Sequence, residues 1–318
     1  MPARLLVRHP DGRIEERLPQ DLSELRDRTC WLDVADPDDH DLDLVAEELN
    51  LHPLALEDTR HRHQRPKIDE YADHYFLVFY ALEEPKPDLV REHEVSIFVA
   101  QNVVVTVHEG EVAARSAVEK RFRDGRLATP GLLLHALLDT FVDGYFDIVD
   151  HFGERVELLE SLILDESSSS FRTSLQELFH LKRDLLRIRQ RIAPEREVLA
   201  VLVRGDVEQL REPGSRAYLQ DVYDHIVRVT DEIDTFRELT SNVIDAHLAA
   251  ASNRLNEILK VLTSVATILF VVTLVTSFFG MNFEAIPFRS SALFWGAIAA
   301  MLVSTGLLAL YFRRRGWL

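Results

Sequence analysis

The sequence predicts an α+β cytoplasmic domain, then long stalk helices, then a C-terminal two-helix transmembrane hairpin. Three observations carry that reading. Short runs rich in Val, Ile, Phe and Tyr alternate with helix-start signals as far as about residue 110. From Ser215 to Phe279, 65 consecutive residues contain neither Pro nor Gly. Near the C-terminus, Val261 to Phe279 and Ala292 to Phe312 run for 19 and 21 residues without a charge. Each matches the ~20 apolar residues that cross a bilayer core of ~30 Å.

Taken in order, Arg4 to His9 and Arg13 to Leu18 bracket the turn-like Pro10-Asp11-Gly12, as in a hairpin. Trp31 to Val34 reads as a further strand, and Pro37-Asp38-Asp39 supplies start chemistry for a helix over Leu42 to Leu51. Tyr75 to Tyr80, His93 to Ala100 and Val103 to His108 read as strands, the last two joined tightly by Gln101-Asn102. After Gly131 the pattern turns helical. Leu132 to Asp165 has apolar residues at helical spacing and ends at Ser167 to Ser170; Phe171 to Ile192 follows, stopped near Pro194. Along the Pro-free stretch, Leu219, Val222, Ile226, Val229, Ile233 and Phe236 step by 3, 4, 3, 4, 3, a heptad seam. At ~1.5 Å per residue, one unbroken helix there spans about 100 Å. The expected organisation is a cytoplasmic α/β domain over 1–130, a helical region and stalk over 131–260, and a first span over 261–279. An outer loop over 280–291, a second span over 292–312 and a basic tail over 313–318 complete it.

The 318 residues carry 36 Lys+Arg against 53 Asp+Glu, a formal net charge of −17. Such acidity excludes a general nucleic-acid binder, which needs a basic surface. A single cysteine, Cys30, excludes an intramolecular disulfide framework. Met1 to Pro10 holds no long apolar stretch, so no cleavable secretory signal is expected. The mean hydropathy of −0.06 is that of a soluble protein, but the average hides the two C-terminal runs. One such run alone also fits a buried core helix; two in succession, charged only at their flanks, fit a membrane pair. Arg254 and Lys260 precede the first run and Arg313 to Arg315 follow the second, whereas the link carries only Glu284 and Arg289. The positive-inside rule therefore puts both termini in the cytoplasm. Residues 246–318 hold six basic and two acidic side chains, a net of +4, which leaves −21 for the preceding 245.

Two helices cannot enclose an aqueous path, so a transport role requires several copies around an axis. On a helical wheel, Asn256, Leu259, Leu262, Thr263, Ala266, Phe270, Thr273 and Ser277 share an arc of about 120°. That mildly polar stripe fits a narrow pore with hydrophobic constrictions. It equally fits a helix–helix seam, since small and hydroxyl residues favour close packing in membranes. Directly after the span stand Gly280, Met281 and Asn282. A ring of Asn282 carboxamide oxygens suits a hard divalent cation that keeps its waters, as Mg²⁺ does.

The chain resembles the CorA-type magnesium transport protein family over nearly its whole length. The likeness rests on Gly280-Met281-Asn282, on Asn256-Glu257-Ile258-Leu259-Lys260-Val261-Leu262-Thr263 before the first span, and on the tail Tyr311 to Leu318. Leu51 to Asp58, His63 to Lys67 and Asp221-Val222-Tyr223-Asp224-His225 resemble its cytoplasmic signatures. The resemblance implies a homopentamer in the cell (inner) membrane with the first span lining the pore. Gly280, Met281 and Asn282 would form the outer selectivity ring for hydrated Mg²⁺. Asn256 and Thr273 would line the pore, Ser277 joining them from the stripe itself, and Leu259, Leu262 and Phe270 would narrow it. The family also senses cytoplasmic Mg²⁺ between subunits, and the matching acids are Asp58, Glu57 and Asp221.

The chain departs from the family pattern in places. Val271, Ser277 and Phe279 stand where the family commonly has Pro, Gly and Tyr, and Ile286-Pro287-Phe288-Arg289 replaces Met-Pro-Glu-Leu. Arg289 puts a positive charge at the mouth and leaves Glu284 its only acid. A Zn²⁺ transporter of the same superfamily stays open as an alternative, as does passage of Co²⁺ or Ni²⁺. A non-conducting, membrane-tethered signalling or scaffold protein is the reading from another class. His61 and His63, with His52 nearby, are read as surface histidines of a basic loop and not as a zinc site. No catalytic triad or phosphate cradle is recognisable, so no enzyme is expected.

Overall fold

The computed structural model describes residues 3–18, 22, 25, 27–86, 89–164, 171–205, 207, 215–281 and 290–317. Two compact units divide the chain, Met1–Ser241 and Asn242–Leu318.

The first unit is built on a seven-stranded mixed sheet in the order β2-β1-β3-β7-β6-β5-β4. Its strands are β1 (Ala3–Arg8), β2 (Ile14–Arg17), β3 (Cys30–Ala35), β4 (Lys67–Glu70), β5 (Tyr75–Lys86), β6 (Leu89–Ala100) and β7 (Val103–His108). Only the central β3–β7 pair is parallel. That register buries β3 from Cys30 to Val34 and all six residues of β7, which is why both read as continuous apolar runs. The outermost strand β2, Ile-Glu-Glu-Arg, carries the charge that keeps an open edge soluble. β5 and β6 run 12 residues each, well past the apolar cores seen in sequence, through charged halves that include Glu83, Glu84, Arg91 and Glu92.

Helix α1 (Asp39–Leu49) starts where Pro37-Asp38-Asp39 predicts. The Asp38 side chain accepts from Asp41 N at 2.8 Å, and Asp41 returns a bond to Asp38 N, a capping box. Two further helices, α2 (Pro53–His61) and α3 (Ala113–Arg123), were not expected from the pattern. α2 is short and polar, and its start rests on Pro53 at the first turn with the His52 ring accepting from Leu54 N.

Helix α4 (Pro130–Leu164) matches its prediction, whereas α5 (Phe171–Arg204) corrects one. Pro194 does not stop α5; it lies inside it. The ring removes one backbone donor, but Glu195, Val198, Leu199 and Leu202, each 0–2% exposed, anchor the continuation. Burial of that face outweighs one lost hydrogen bond.

Helix α6 (Ser215–Phe279) has the predicted length. Its seam residues Leu219, Val222, Ile226, Val229 and Ile233 are 0–2% exposed. Phe236 reaches α4 where a Cβ on Gly153 would lie 2.6 Å from the ring, so that glycine makes room for the sixth seam residue. Ile226→Ala is expected to destabilise the first unit by about 2–5 kcal/mol, read as a lower thermal midpoint of the purified chain.

In the second unit, the apolar part of α6 and helix α7 (Ser291–Arg314) are long and apolar enough to cross a membrane, and almost nothing of either is buried. Leu262, Leu269, Phe270 and Leu302 are 60–69% exposed. Surface of that kind costs about 25 cal/mol per Å² in water, and lipid removes the cost. Beyond α7, Gly316 at φ +70° turns the chain back. The Trp317 amide then donates to the Phe312 carbonyl at 2.9 Å, and the two rings stack 5.6 Å apart.

Candidate pore helix and acidic cluster

The stripe on α6 faces away from its own chain. Asn256, Leu259, Leu262, Thr263, Ala266, Phe270, Thr273 and Ser277 are all exposed. Ser264, buried, and the half-buried Thr267, Ile268, Val271, Val272, Val275 and Phe279 lie on a different face. At ~100° per residue the centres of the two faces stand about 150° apart. Thr273 donates its hydroxyl to the Leu269 carbonyl at 2.8 Å. A hydroxyl tied back in this way still offers its oxygen lone pairs outward. The stripe therefore alternates oxygen acceptors with apolar bulk: Leu259, Leu262 and Phe270 are 47%, 60% and 67% exposed.

Gly280 ends α6. Its amide donates to the Thr276 carbonyl at 3.0 Å and to the Ser277 carbonyl at 3.2 Å. A Cβ at Gly280 would stand 3.3 Å from Thr276 O and 3.4 Å from Ser277 O, tight contacts that favour glycine. Met281 follows, 49% exposed. Asn282, Glu284 and Arg289 lie outside the described residues.

The cytoplasmic acids fall into two places. Asp58, on α2, is half-buried and already engaged: Lys67 Nζ sits 2.7 Å from its Oδ2 and 2.6 Å from Asp69. Glu57 beside it is exposed, and its carbonyl meets the His61 ring at 3.0 Å. Asp221, on α6, is brought next to residues the sequence reading missed. Asp139 and Asp143 of α4 and His225 of α6 present ligand atoms within 4.8 Å of one another. His225 lies 3.8 Å from Asp143 and 4.0 Å from Asp221. Asp58 and Glu57 stand outside that cluster. Burial, then the charges of Asp139 and Asp221, push the Asp143 carboxyl above its ordinary range, while His225 pulls it down. Arg121 lies 3.4 Å from Asp139 and the His225 ring faces Asp143 and Asp221, and the acid oxygens with one imidazole form a donor set that a divalent cation accepts. A signal for it was present in the sequence: Asp139/Asp143 and Asp221/His225 are each four residues apart, hence on one face of their helices. His61 and His63 are exposed, as read.

The family model for the CorA-like Mg²⁺ transporter protein matches residues 26–314. The chain belongs to that family. Among its CorA relatives, the cobalt/magnesium transport protein CorA of Thermotoga maritima is 34% identical over 283 residues, covering 86% of this chain and 79% of the relative. The protein of the same description from Methanocaldococcus jannaschii is 25% identical over 316 residues and 97% of each chain. In fold, the chain is similar to the complete structure of that CorA magnesium transporter, with a TM-score of 0.82 at 22% identity over 100% of this chain and 99% of the other. It is also similar to the cytoplasmic domain of ZntB from Vibrio parahaemolyticus, with a TM-score of 0.65 at 12% identity over 80% of this chain and 100% of the other. CorA membership makes this a membrane protein, and the two apolar helices α6 and α7 supply its spans.

Proposed function

We propose that the chain forms a homo-oligomeric, pentameric channel for Mg²⁺ in the cell membrane, with both termini in the cytoplasm and no enzymatic step. One observation carries this reading: the α6 stripe is exposed along its length, turned away from its own chain, and runs directly into Gly280-Met281. Five copies set around an axis would cover it. Asn256, Thr273 and Ser277 then offer oxygens to a hydrated ion, Leu259, Leu262 and Phe270 narrow the path, and Asn282 with Gly280 and Met281 selects at the outer mouth. Residues 1–130 and 131–260 serve as the cytoplasmic part, 261–279 and 292–312 as the spans, 280–291 as the outer loop and 313–318 as the basic tail. Two relatives are described as cobalt/magnesium transport proteins, which supports Co²⁺ as further cargo; Ni²⁺ is proposed beside it from the family resemblance alone.

Gating follows from charge. Asp58, Glu57 and Asp221, joined by Asp139 and Asp143, repel one another when subunits close. A cytoplasmic Mg²⁺ among them removes that repulsion and favours the closed, symmetric assembly; depletion lets subunits part and the pore wet.

Purified chain reconstituted into liposomes is expected to take up Mg²⁺, with Co²⁺ and Ni²⁺ competing for uptake. Absence of flux from well-folded oligomer would leave a signalling or scaffold protein. Flux that only Zn²⁺ supports would assign the zinc-transporting branch.

A further inference from the structure

β5 loses its neighbour before it ends. β4 pairs with it only from Tyr75 to Val78, and the backbone of Tyr80 on that edge needs partners from elsewhere. Glu195 of α5 takes the vacant place. It is 0% exposed, and its Oε1 accepts from the Tyr80 amide at 2.8 Å. Tyr145 of α4, also 0% exposed, completes the edge: its hydroxyl bonds the Tyr80 carbonyl and lies 2.9 Å from Glu195 Oε2.

Among the described residues no Lys, Arg or His pairs with Glu195. The arginines around it on α5 are engaged elsewhere. Arg191 lies over the Tyr80 ring at 4.9 Å and bonds Glu92 at 2.9 Å, Arg196 bonds Tyr223 at 3.3 Å, and Arg189 bonds Asp234 at 2.6 Å. The groups that meet the carboxyl are the Tyr145 phenol from α4 and the Tyr80 backbone from β5.

A hydrogen count decides its charge state. The Tyr80 amide hydrogen goes to Oε1. Tyr145 has one hydrogen, yet its oxygen touches two acceptors, the Tyr80 carbonyl and Glu195 Oε2. A carboxylate would leave one of those contacts without a hydrogen. A carboxylic acid supplies it: Oε2–H donates to Tyr145, and Tyr145 donates to Tyr80. We propose that Glu195 is held as the neutral acid, a positioning residue that fixes α4 and α5 to the open edge of β5. Burial supports this by pushing both the Glu195 carboxyl and the Tyr145 phenol well above their ordinary values. α4 is also the helix that carries Asp139 and Asp143, but the assignment holds whatever cation the chain moves.

The sign of the pH effect follows. With its folded value raised, Glu195 stabilises fully only below its unfolded pKa of about 4.3, and the benefit is lost as pH rises. Glu195→Gln keeps one acceptor and one donor and carries no charge, so it copies the acid and not the carboxylate. In detergent-solubilised full-length chain at neutral pH, the infrared difference between parent and Glu195→Gln is expected to show a protonated-carboxyl stretch in the parent alone. The Gln variant keeps the exchange protection of the Tyr80 amide. Its folding equilibrium gains on the parent by about tenfold per pH unit above the glutamate range until the raised pKa is reached. Glu195→Ala loses the protection. A carboxylate stretch in the parent, or a Gln variant as unprotected as the Ala variant, would overturn the assignment. If the Ala variant does not fold, the parent–Gln pair still decides.

Discussion

An Asn282→Ala chain is expected to assemble as the parent does and to lose selective Mg²⁺ uptake. Mg²⁺ dehydrates reluctantly, so the proposed ring of carboxamides would act on the ion's water shell and not on the bare ion. Outer-shell contacts of this kind are worth about 10–100-fold in metal affinity. A fall of that size in liposome uptake, with Co²⁺ no longer competing, is the expected result. The charge balance makes this site decisive. The span carries no charge between Val261 and Phe279, and in the sequence the loop's only acid, Glu284, is offset by Arg289 within the same short segment. Fixed charge is therefore expected to contribute little to choosing the ion, which is why the proposed selectivity role falls to the neutral oxygens of Asn282. Unchanged uptake and unchanged competition from an intact oligomer would remove Asn282 from selection.

The parts of the fold legible in sequence are those where one local pattern dictates one outcome. The Pro- and Gly-free stretch from Ser215 to Phe279 became a single helix of that length, and its 3–4 spacing of apolar residues marked the buried seam from Leu219 to Ile233. Asp38 marked the start of α1 because a side-chain oxygen three residues before a free amide is a local event. Where non-local contacts decide, the pattern was silent. Pro194 reads as a stop, yet the residues after it are held by burial against other elements, and the buried acid beside it completes a strand edge 115 residues away. The charged ends of β5 and β6 lack an apolar alternation, and pairing with each other makes them strands from Glu83 to Arg91. In the acidic cluster, Asp221 was found through its surrounding motif, while Asp139 and Asp143 needed the α4–α6 juxtaposition.

That juxtaposition sets the second large effect. Mg²⁺ added to the parent is expected to protect it from proteolysis, because the ion cancels repulsion that otherwise drives subunits apart. Asp221→Asn with Asp143→Asn removes two of the charges that repel one another without changing the shape of either side chain. The double variant should need about tenfold more Mg²⁺ for the same protection, or a loss of about 1.4 kcal/mol in ion binding. Asp58→Ala with Asp221→Ala tests the other half of the sensor and carries a distinguishing feature. Lys67 already holds Asp58 at 2.7 Å, so an ion at Asp58 must displace an ammonium, whereas Asp143, among the described residues, meets no Lys or Arg in an ion pair and only the His225 ring at 3.8 Å. If the ion enters first at Asp143, Asp143→Asn alone shifts the Mg²⁺ requirement more than Asp58→Ala alone. Equal protection in the parent and all of these variants would show the acids to be solvated surface charge and place the gating elsewhere in the chain. The order of the two single variants is the sharper outcome, since it separates entry at an acid without a Lys or Arg partner from exchange with a resident lysine.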